Sequence, residues 1–361
     1  MGYVLIGTEA SQFSGKVRAF LRWKGVAFSE TIATPEVYRD TIEAKIGFPV
    51  IPVLLTDDGQ AIQDSAEIID FVDRATPAPS AHPSGPVQEF VSLLLELYAD
   101  EWLIIPAMHY RWSHDDGWVV REFGRIAAPS SSAAEQQEIG EVIAKPIRES
   151  LPWYGVSEET ASGIEVHFEG FLADCSAHLR RYPFMLGDRP SLSDFAIFGA
   201  LYGPIHRHPW AGDRMRKLAP SVVDWIERMQ AVKAGAQTLA ADDAVPTTLY
   251  PILKRQMSEQ LPVLEDAARS LQEWMRAQPK GARIKRSLGT HEFMIGGRRG
   301  TRSILSFQLW RLQRVQDHYR SLAAADRARA DALLDAVGGR RFAELELPVR
   351  IERREYRLVM A

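Results

Sequence analysis

The chain has 361 residues, of which 46% are hydrophobic and 25% are charged, a composition that excludes fibrous, collagen-like and wholly disordered proteins. No run of about 18 apolar residues is uninterrupted and the N-terminus has no basic segment, so we expect neither a transmembrane helix nor a signal peptide. The single cysteine, Cys175, excludes an internal disulfide and a multi-cysteine zinc site, and it fits a cytoplasmic location.

The net charge of −4 is distributed unevenly along the chain. Residues 251–361 contain 22 basic and 13 acidic residues, whereas residues 1–250 contain 21 basic and 34 acidic residues. A basic C-terminal region either binds nucleic acid or another anionic surface, or folds back on the acidic part of the same chain. The basic residues alternate with apolar ones and form no long run, which favours the second interpretation. We therefore expect no nucleic-acid partner.

The first 76 residues alternate between strand and helix patterns. The predicted elements are a strand (3–7), a helix (14–26), a strand (28–33), a helix (35–46), two strands within 51–63 joined by a hairpin turn at Asp57-Asp58-Gly59, and a helix (64–75). The order is βαβ, then α, then ββα. The first two strands can pair in parallel, whereas the Asp-Gly turn requires the last two to be antiparallel.

A proline-rich segment separates this region from the rest of the chain. Four prolines within 77–86 prevent regular structure, so we predict a linker there and a domain boundary after 1–76. Every element of the next region, 87–245, is predicted to be helical, which indicates an all-α bundle domain. Pro106 is expected to kink or break the long helix predicted for 87–112.

The last region, 246–361, is predicted to be a small, basic α+β extension. Its predicted elements are a helix (248–278), a loose hairpin (291–305) with Gly296-Gly297 at its centre, two helices (307–322 and 326–337) and two strands within 342–360 broken near Pro348. The fold class is therefore α+β overall and mainly helical.

Four short motifs stand at the junctions of the predicted elements: Ser11-Gln12-Phe13-Ser14, Ile51-Pro52, Asp64-Ser65 and Ser191-Leu192-Ser193-Asp194. The last is a capping-box pattern, to which we assign a structural role only. With the domain order, these motifs resemble the cytosolic glutathione transferase family, in which a thioredoxin-like domain precedes an all-helical domain. The resemblance covers roughly residues 1–240 and leaves the C-terminal extension unplaced.

The first motif begins with Ser11, at the start of the first predicted helix. On its own, such a serine is a helix N-cap. The resemblance to serine-type members implies that Ser11 donates its hydroxyl proton to the sulfur of glutathione, with Ser14 as the fallback donor. This donation and the positive end of the helix dipole would both favour the thiolate of a thiol with a pKa of about 8.5. Gln12 stands where many members have proline, which leaves the subclass open.

The second and third motifs are implied by the resemblance to bind glutathione. Pro52 would be a cis proline, and the backbone of Ile51 would pair with the cysteinyl residue of glutathione. Ser65 would bind the γ-glutamyl carboxylate at a helix N-terminus, and Asp64 would face the α-ammonium. From the residues alone, Pro52 is equally a trans proline opening an edge strand, and Asp64 and Ser65 are a helix-capping pair.

The family's electrophile site implies four candidates on the first long helix of the all-helical domain: Tyr98, Trp102, His109 and Arg111. Aromatic walls suit a flat hydrophobic electrophile, although aromatic residues at helical spacing are more often part of a core. His206 and His208 have no carboxylate or cysteine at ligand spacing, so we expect no metal site.

The resulting hypothesis is a homodimeric, cytoplasmic glutathione transferase that activates the glutathione thiol for attack on a hydrophobic electrophile, as in detoxification. Glutathione is expected as co-substrate, with no metal and no membrane contact. One alternative is a binding or scaffold protein that keeps the fold without catalysis. Another is a specialised glutathione-dependent isomerase, peroxidase or dehalogenase.

Overall fold

The computed structural model describes residues 2–114 and 117–361. Its N-terminal region contains β1 (Tyr3–Gly7), α1 (Gln12–Lys24), β2 (Phe28–Ile32), α2 (Pro35–Val37), α3 (Ala44–Ile46), β3 (Val53–Thr56), β4 (Ala61–Gln63) and α4 (Ser65–Ala75). The four strands form one sheet in the order β2-β1-β3-β4, in which β1 and β2 are parallel. Strand β3 is antiparallel to both β1 and β4. The predicted βαβ-α-ββα order is confirmed, and the fold of this region is thioredoxin-like.

The helix predicted for 35–46 is continuous only in part. Thr34 caps α2 through its side chain, which accepts from the backbone N–H of Val37. A π-helical turn, Tyr38–Glu43, then separates α2 from α3. This wider turn contains Ile42, which is fully buried in a cluster beneath the sheet. The π-helical turn thus coincides with the burial of the Ile42 side chain.

The middle region is helical, as predicted. Its helices are α5 (Pro86–Glu101), α6 (Ile104–Ser113), α7 (Trp118–Ala127), α8 (Ala133–Glu149), α9 (Glu158–Leu179), α10 (Leu192–Leu201), α11 (Pro209–Leu218) and α12 (Pro220–Ala231). The break between α5 and α6 falls at Trp102 and Leu103. Pro106 lies in the first turn of α6, where its missing N–H breaks no helical hydrogen bond. At the start of α10, Asp194 accepts from the backbone N–H of Ser191 at 3.0 Å, which confirms the capping motif.

The C-terminal region combines helices with two separate hairpins. Its elements are α13 (Tyr250–Arg255), α14 (Leu261–Met275), β5 (Ser287–Ile295), β6 (Arg298–Leu305), α15 (Phe307–Ser321), α16 (Ala324–Ala336), α17 (Arg340–Glu344), β7 (Ile351–Arg354) and β8 (Arg357–Met360). The β5–β6 turn is at Gly296-Gly297, as predicted. The prediction of strands broken near Pro348 is wrong. Residues 340–344 are helical, and the β7–β8 turn is at Glu355 and Tyr356, both with positive φ.

One continuous hydrophobic core joins the three regions. The ring of Phe90 on α5 lies 5.3 Å from that of Tyr319 on α15 and 6.0 Å from that of Phe342 on α17. Ion pairs also cross from the extension to the N-terminal region: Arg314 to Asp70 at 2.7 Å, and Arg353 to Glu67 at 2.7 Å. These contacts confirm that the basic extension folds back on the acidic part of the chain. Within the described residues, no helix is both long and apolar enough to cross a membrane.

Candidate functional site

The start of α1 places two of the predicted serines in different environments. Ser11 is the N-cap of this 13-residue helix, half-buried, and its Oγ accepts from the backbone N–H of Ser14 at 3.2 Å. Ser14 itself is fully buried, and its hydroxyl accepts from the backbone N–H of Thr8. It lies so close to β1 that a Cβ on Gly7 would be 2.6 Å from its Oγ. Ser14 therefore faces the protein interior, whereas Ser11 keeps its own hydroxyl proton available.

A cavity of about 340 Å³ lies between the N-terminal region, the end of α5 and the extension. Ile51, Pro52, Asp64 and Ser65, the four residues predicted to bind glutathione, all line it. The Ile51-Pro52 peptide bond is cis, as the resemblance implied. Ser11 is not among the lining residues, but Phe13, in the first turn of α1, is. The structure thus brings together residues from the segment just before β3 and from the start of α4, which the β3–β4 hairpin separates in the sequence.

The extension forms the opposite wall of this cavity. Its contribution includes Arg283, Arg286, Phe307 and Arg311. No signal in the sequence predicted this, because the extension lies outside the motifs that carry the family resemblance. The extension is therefore part of the candidate site as well as part of the core.

Asp64 and Ser65 stand at the N-terminus of α4, where Arg311 contacts both. Asp64 has φ 87° and ψ 135°, an uncommon backbone conformation for a residue with a side chain. Its Oδ1 accepts from the backbone N–H of Ala66 at 2.9 Å, so the helix-capping role holds. Its Oδ2 accepts from Arg311 Nη2 at 2.9 Å, and Ser65 Oγ lies 3.3 Å from the same nitrogen.

A buried network of ion pairs continues from Arg311 into the core. Lys16 Nζ lies 2.6 Å from Glu96 and 2.7 Å from Asp100, and Arg311 lies 3.1 Å from Asp100. The side chains of Lys16 and Asp100 are 0% exposed, and that of Arg311 is 2% exposed. Burial alone would raise the pKa of Glu96, but Lys16, Arg314 and Arg311 lower it to about 2. The carboxylates below the cavity are therefore matched by cations from both α1 and α15.

Glu101 lines the cavity beside this network without a partner. Within the described part of the chain its carboxyl group makes no hydrogen bond and no ion pair, unlike that of its neighbour Asp100. Burial raises the pKa of Glu101 to about 8, despite the opposing charges of Arg311 and Arg302. This raised pKa marks Glu101, which sequence reasoning missed, as a candidate proton donor in the cavity.

The four electrophile-site candidates are not brought together at the cavity. Tyr98 and Trp102 are 0% exposed, and the Tyr98 hydroxyl lies 3.1 Å from His167 Nε2 in the core. His109 is buried beside Glu165, and Arg111 donates to the backbone carbonyl of Ala10. None of the four lines the cavity. Tyr98 and Trp102 instead belong to the hydrophobic core, which was the alternative interpretation of these aromatic residues.

One group of possible metal ligands occurs among the described residues: His109, His114 and Glu165, whose ligand atoms lie within 4.8 Å of one another. The Nε2 atoms of His109 and His114 lie 3.2 Å and 3.3 Å from the same Glu165 oxygen. Hydrogen bonds from two imidazoles to one carboxylate account for this approach. His208, in the other histidine pair considered, accepts from the backbone N–H of Ala211 and so caps α11.

Residues 5–80 match the family model of the glutathione S-transferase N-terminal domain. No curated protein sequence matches the chain. Among solved structures, the β-etherase LigF from Sphingobium sp. strain SYK-6 is 19% identical, with 64% of this chain and 96% of that chain covered and a TM-score of 0.48. A glutathione S-transferase from Methylobacterium radiotolerans, in complex with glutathione sulfonate, is 18% identical, with coverages of 67% and 100% and a TM-score of 0.41.

A third structure, a glutathione S-transferase-like protein from Pseudomonas syringae, is 19% identical, with 63% of this chain and 66% of that chain covered and a TM-score of 0.44. The family model matches the segment that holds Ser11, Pro52, Asp64 and Ser65. The N-terminal region of the chain, residues 5–80, is therefore a glutathione S-transferase N-terminal domain.

Proposed function

We propose that the chain binds glutathione in the cavity and activates its thiol beside Ser11 for attack on a hydrophobic electrophile. The observation that supports this most strongly is the meeting of Ile51, Pro52, Asp64 and Ser65 around one cavity within the matched domain. A cavity of about 340 Å³ falls in the range of about 300–1,000 Å³ that is typical of small-molecule sites.

Ser11 would act on the thiol through a hydrogen bond. Its Oγ already accepts from the backbone N–H of Ser14, so its own proton can be donated to a sulfur at the start of α1. Lowering a thiol pKa by about two units requires roughly 2.7 kcal/mol. One charge-assisted hydrogen bond and the positive end of the helix dipole are together of this size. The hydroxyl thus stabilises the thiolate and is not itself a nucleophile.

The remaining contacts would hold the peptide. The backbone of Ile51 would pair with the cysteinyl residue, and the backbone N–H groups at the start of α4 would attract a carboxylate. Phe13 and Ile104, which also line the cavity, offer apolar surface to an electrophile. Glu101, protonated at neutral pH, would be placed to supply a proton to a leaving group.

A second candidate function is binding without catalysis. Two observations favour it: Ser11 does not line the cavity, and Arg311 already contacts Asp64 and Ser65. In that case glutathione or a related peptide would occupy the cavity with its thiol unperturbed.

The deciding experiment is titration calorimetry with reduced glutathione, combined with the ultraviolet absorbance of the thiolate in the complex. We expect binding in the micromolar to millimolar range and a thiolate band at neutral pH. Binding without the band would support the second candidate, and no binding would reject both.

The role of Ser11 can be tested with the variant Ser11→Ala. We expect the thiolate band to disappear and turnover to fall tenfold or more, with glutathione affinity nearly unchanged. Ser132→Ala is the matched control, because Ser132 caps α8 in the same way and lies outside the cavity. Loss of either cap should cost about 0.5–2 kcal/mol of stability, so only a readout at the thiol separates the two variants.

A further inference from the structure

We propose that His109, His114 and Glu165 bind a divalent transition-metal ion of the zinc type, which joins the end of α6 to α9. None of the three residues lines the cavity, so the site goes beyond the proposed function and does not depend on it. The sequence did not indicate this group, because Glu165 lies 51 residues after His114.

The fold brings the three side chains together from two helices. His109 lies within α6, His114 is the residue at which α6 ends, and Glu165 lies in α9. On a continuous helix, residues five positions apart lie about 140° apart around the axis. His114 has left the helical conformation, with φ −124° and ψ 28°, and its ring centre is 5.9 Å from that of His109. The end of α6 therefore turns both imidazoles toward one carboxylate.

The distances within this group are those between neighbouring ligands of a metal ion. The Nε2 atoms of His109 and His114 lie 3.2 Å and 3.3 Å from Oε1 of Glu165. As hydrogen bonds these contacts are long, since charge-assisted N–H···O bonds measure about 2.7–2.9 Å. Two atoms that are each about 2.1 Å from a zinc ion lie about 3.0 Å apart at a right angle and about 3.4 Å apart at the tetrahedral angle. All three ligand atoms lie within 4.8 Å of one another, so a small shift of His114 completes the set.

Contacts outside the group orient both imidazoles. His109 Nδ1 lies 3.0 Å from Ser113 Oγ, and when Nδ1 donates this hydrogen bond, Nε2 has a free lone pair for a metal. Histidine ligands are commonly held by such a partner on the other ring nitrogen. The His114 ring stacks on Trp210, with ring centres 3.7 Å apart and an angle of 11° between the planes. Neither ring therefore needs the ion to fix its plane.

The group is open to solvent on one side. The His109 side chain is 3% exposed, whereas those of His114 and Glu165 are 30% and 39% exposed. An ion can therefore enter from solvent, and three protein ligands leave a fourth position for water. Arg214, a neighbouring cation, donates to Glu169 at 3.0 Å, so its charge is compensated. Two neutral imidazoles and one carboxylate suit zinc and related ions, whereas magnesium prefers oxygen ligands.

The experiment is titration calorimetry of the full-length protein, first treated with a chelator, with Zn²⁺ and separately with Mg²⁺. We expect one Zn²⁺ to bind per chain with a Kd in the micromolar range or below, and Mg²⁺ not to bind at the same concentrations. Absence of stoichiometric Zn²⁺ binding, or binding of Mg²⁺ with equal affinity, overturns the inference.

Four variants test whether these residues hold the ion. Glu165→Gln and His114→Gln each remove a ligand whose side chain is partly exposed, and we expect each to weaken Zn²⁺ binding at least tenfold. Glu169→Gln, on the same helix as Glu165, and His206→Gln, outside the group, are the matched controls and should stay within about twofold of the unmodified protein. Equal affinities of all four variants, each folded by circular dichroism, would show that Zn²⁺ binds elsewhere and would reject the assignment.

Hydrogen exchange of the unmodified protein locates the ion without any variant. Zn²⁺ should slow the exchange of backbone amides at the end of α6 and around Glu165 in α9, because an ion bound by both helices opposes their local opening. Protection confined to other parts of the chain would contradict the inference, even where a variant fails to fold.

Discussion

The N-termini of α1 and α4, in the same region of the chain, have different surroundings. At α1, Ser11 caps the helix, stays half-buried and keeps its hydroxyl proton. At α4, Asp64 caps the helix and accepts a hydrogen bond from Arg311 of the C-terminal extension. Both positions have the partial positive charge that attracts anions. The difference between them is made by the C-terminal extension and not by the local motifs.

Deleting the C-terminal extension is expected to have the largest effect on the stability of the protein and on the surroundings of the α4 N-terminus. Deletion of 246–361 would uncover the apolar side chains of α5 that pack on α15 and α17, such as Phe90. It would also leave Asp64, Glu96 and Asp100 without Arg311. We expect the truncated chain to aggregate, as measured by size-exclusion chromatography with light scattering. A monodisperse, folded truncation would show instead that the extension is an independent module.

The next largest effect is expected from Lys16, the cation that α1 contributes to the buried network of ion pairs. Lys16→Met would leave Glu96 and Asp100 with one fewer buried partner, and loss of one member of a buried ion pair costs about 3–5 kcal/mol. Urea denaturation should show this loss in the free energy of unfolding.

Lys217→Met is the control for Lys16→Met. Lys217 forms a salt bridge with Asp213 on the surface of α11, where such pairs contribute about 0–1 kcal/mol. A similar loss of stability in the two variants would show that the buried ion pairs of Lys16 contribute no more than a surface salt bridge. The network beneath the N-terminus of α4 would then not stabilise the fold.

Sequence reasoning succeeded where the determinants are local. The hairpin at Gly296-Gly297 was predicted because two glycines readily adopt the positive φ that such a turn requires. The turn at Glu355 and Tyr356 was missed because neither residue type signals positive φ, and Pro348 was a stronger but misleading signal. Local chemistry was sufficient for the first hairpin and absent at the second.

The same distinction between local and long-range determinants applies to the residues of the candidate site. Pro52, Asp64 and Ser65 were identified because they belong to short motifs, and the structure gathers them at one cavity. Arg311 was missed because it is 247 residues from Asp64 and nothing in either segment indicates the contact. Tyr98 and Trp102 lie in the core, a placement that the sequence could not decide, because helical spacing does not indicate which side chains of a predicted helix are buried.

The last effect we predict concerns Glu101, which lines the cavity beside the N-terminus of α4. Burial raises its pKa from 4.5 to about 8, against the charges of Arg311 and Arg302, with Asp100 and Asp64 adding to the rise and Tyr154 also close by. Between these pH values the folded chain holds a proton that the unfolded chain releases. The free energy of unfolding therefore falls as the pH rises through this window and becomes level above it.

Glu101→Gln keeps the side chain neutral at every pH and removes this contribution. The variant should therefore gain stability relative to the unmodified protein between pH 5 and pH 8, as measured by urea denaturation at several pH values. Glu138→Gln, on the exposed surface of α8, should follow the profile of the unmodified protein. Part of the slope should persist in Glu101→Gln, because burial also raises the pKa of Asp100. Parallel profiles for all three proteins would mean that Glu101 is ionised at neutral pH and cannot serve as a proton donor in the cavity.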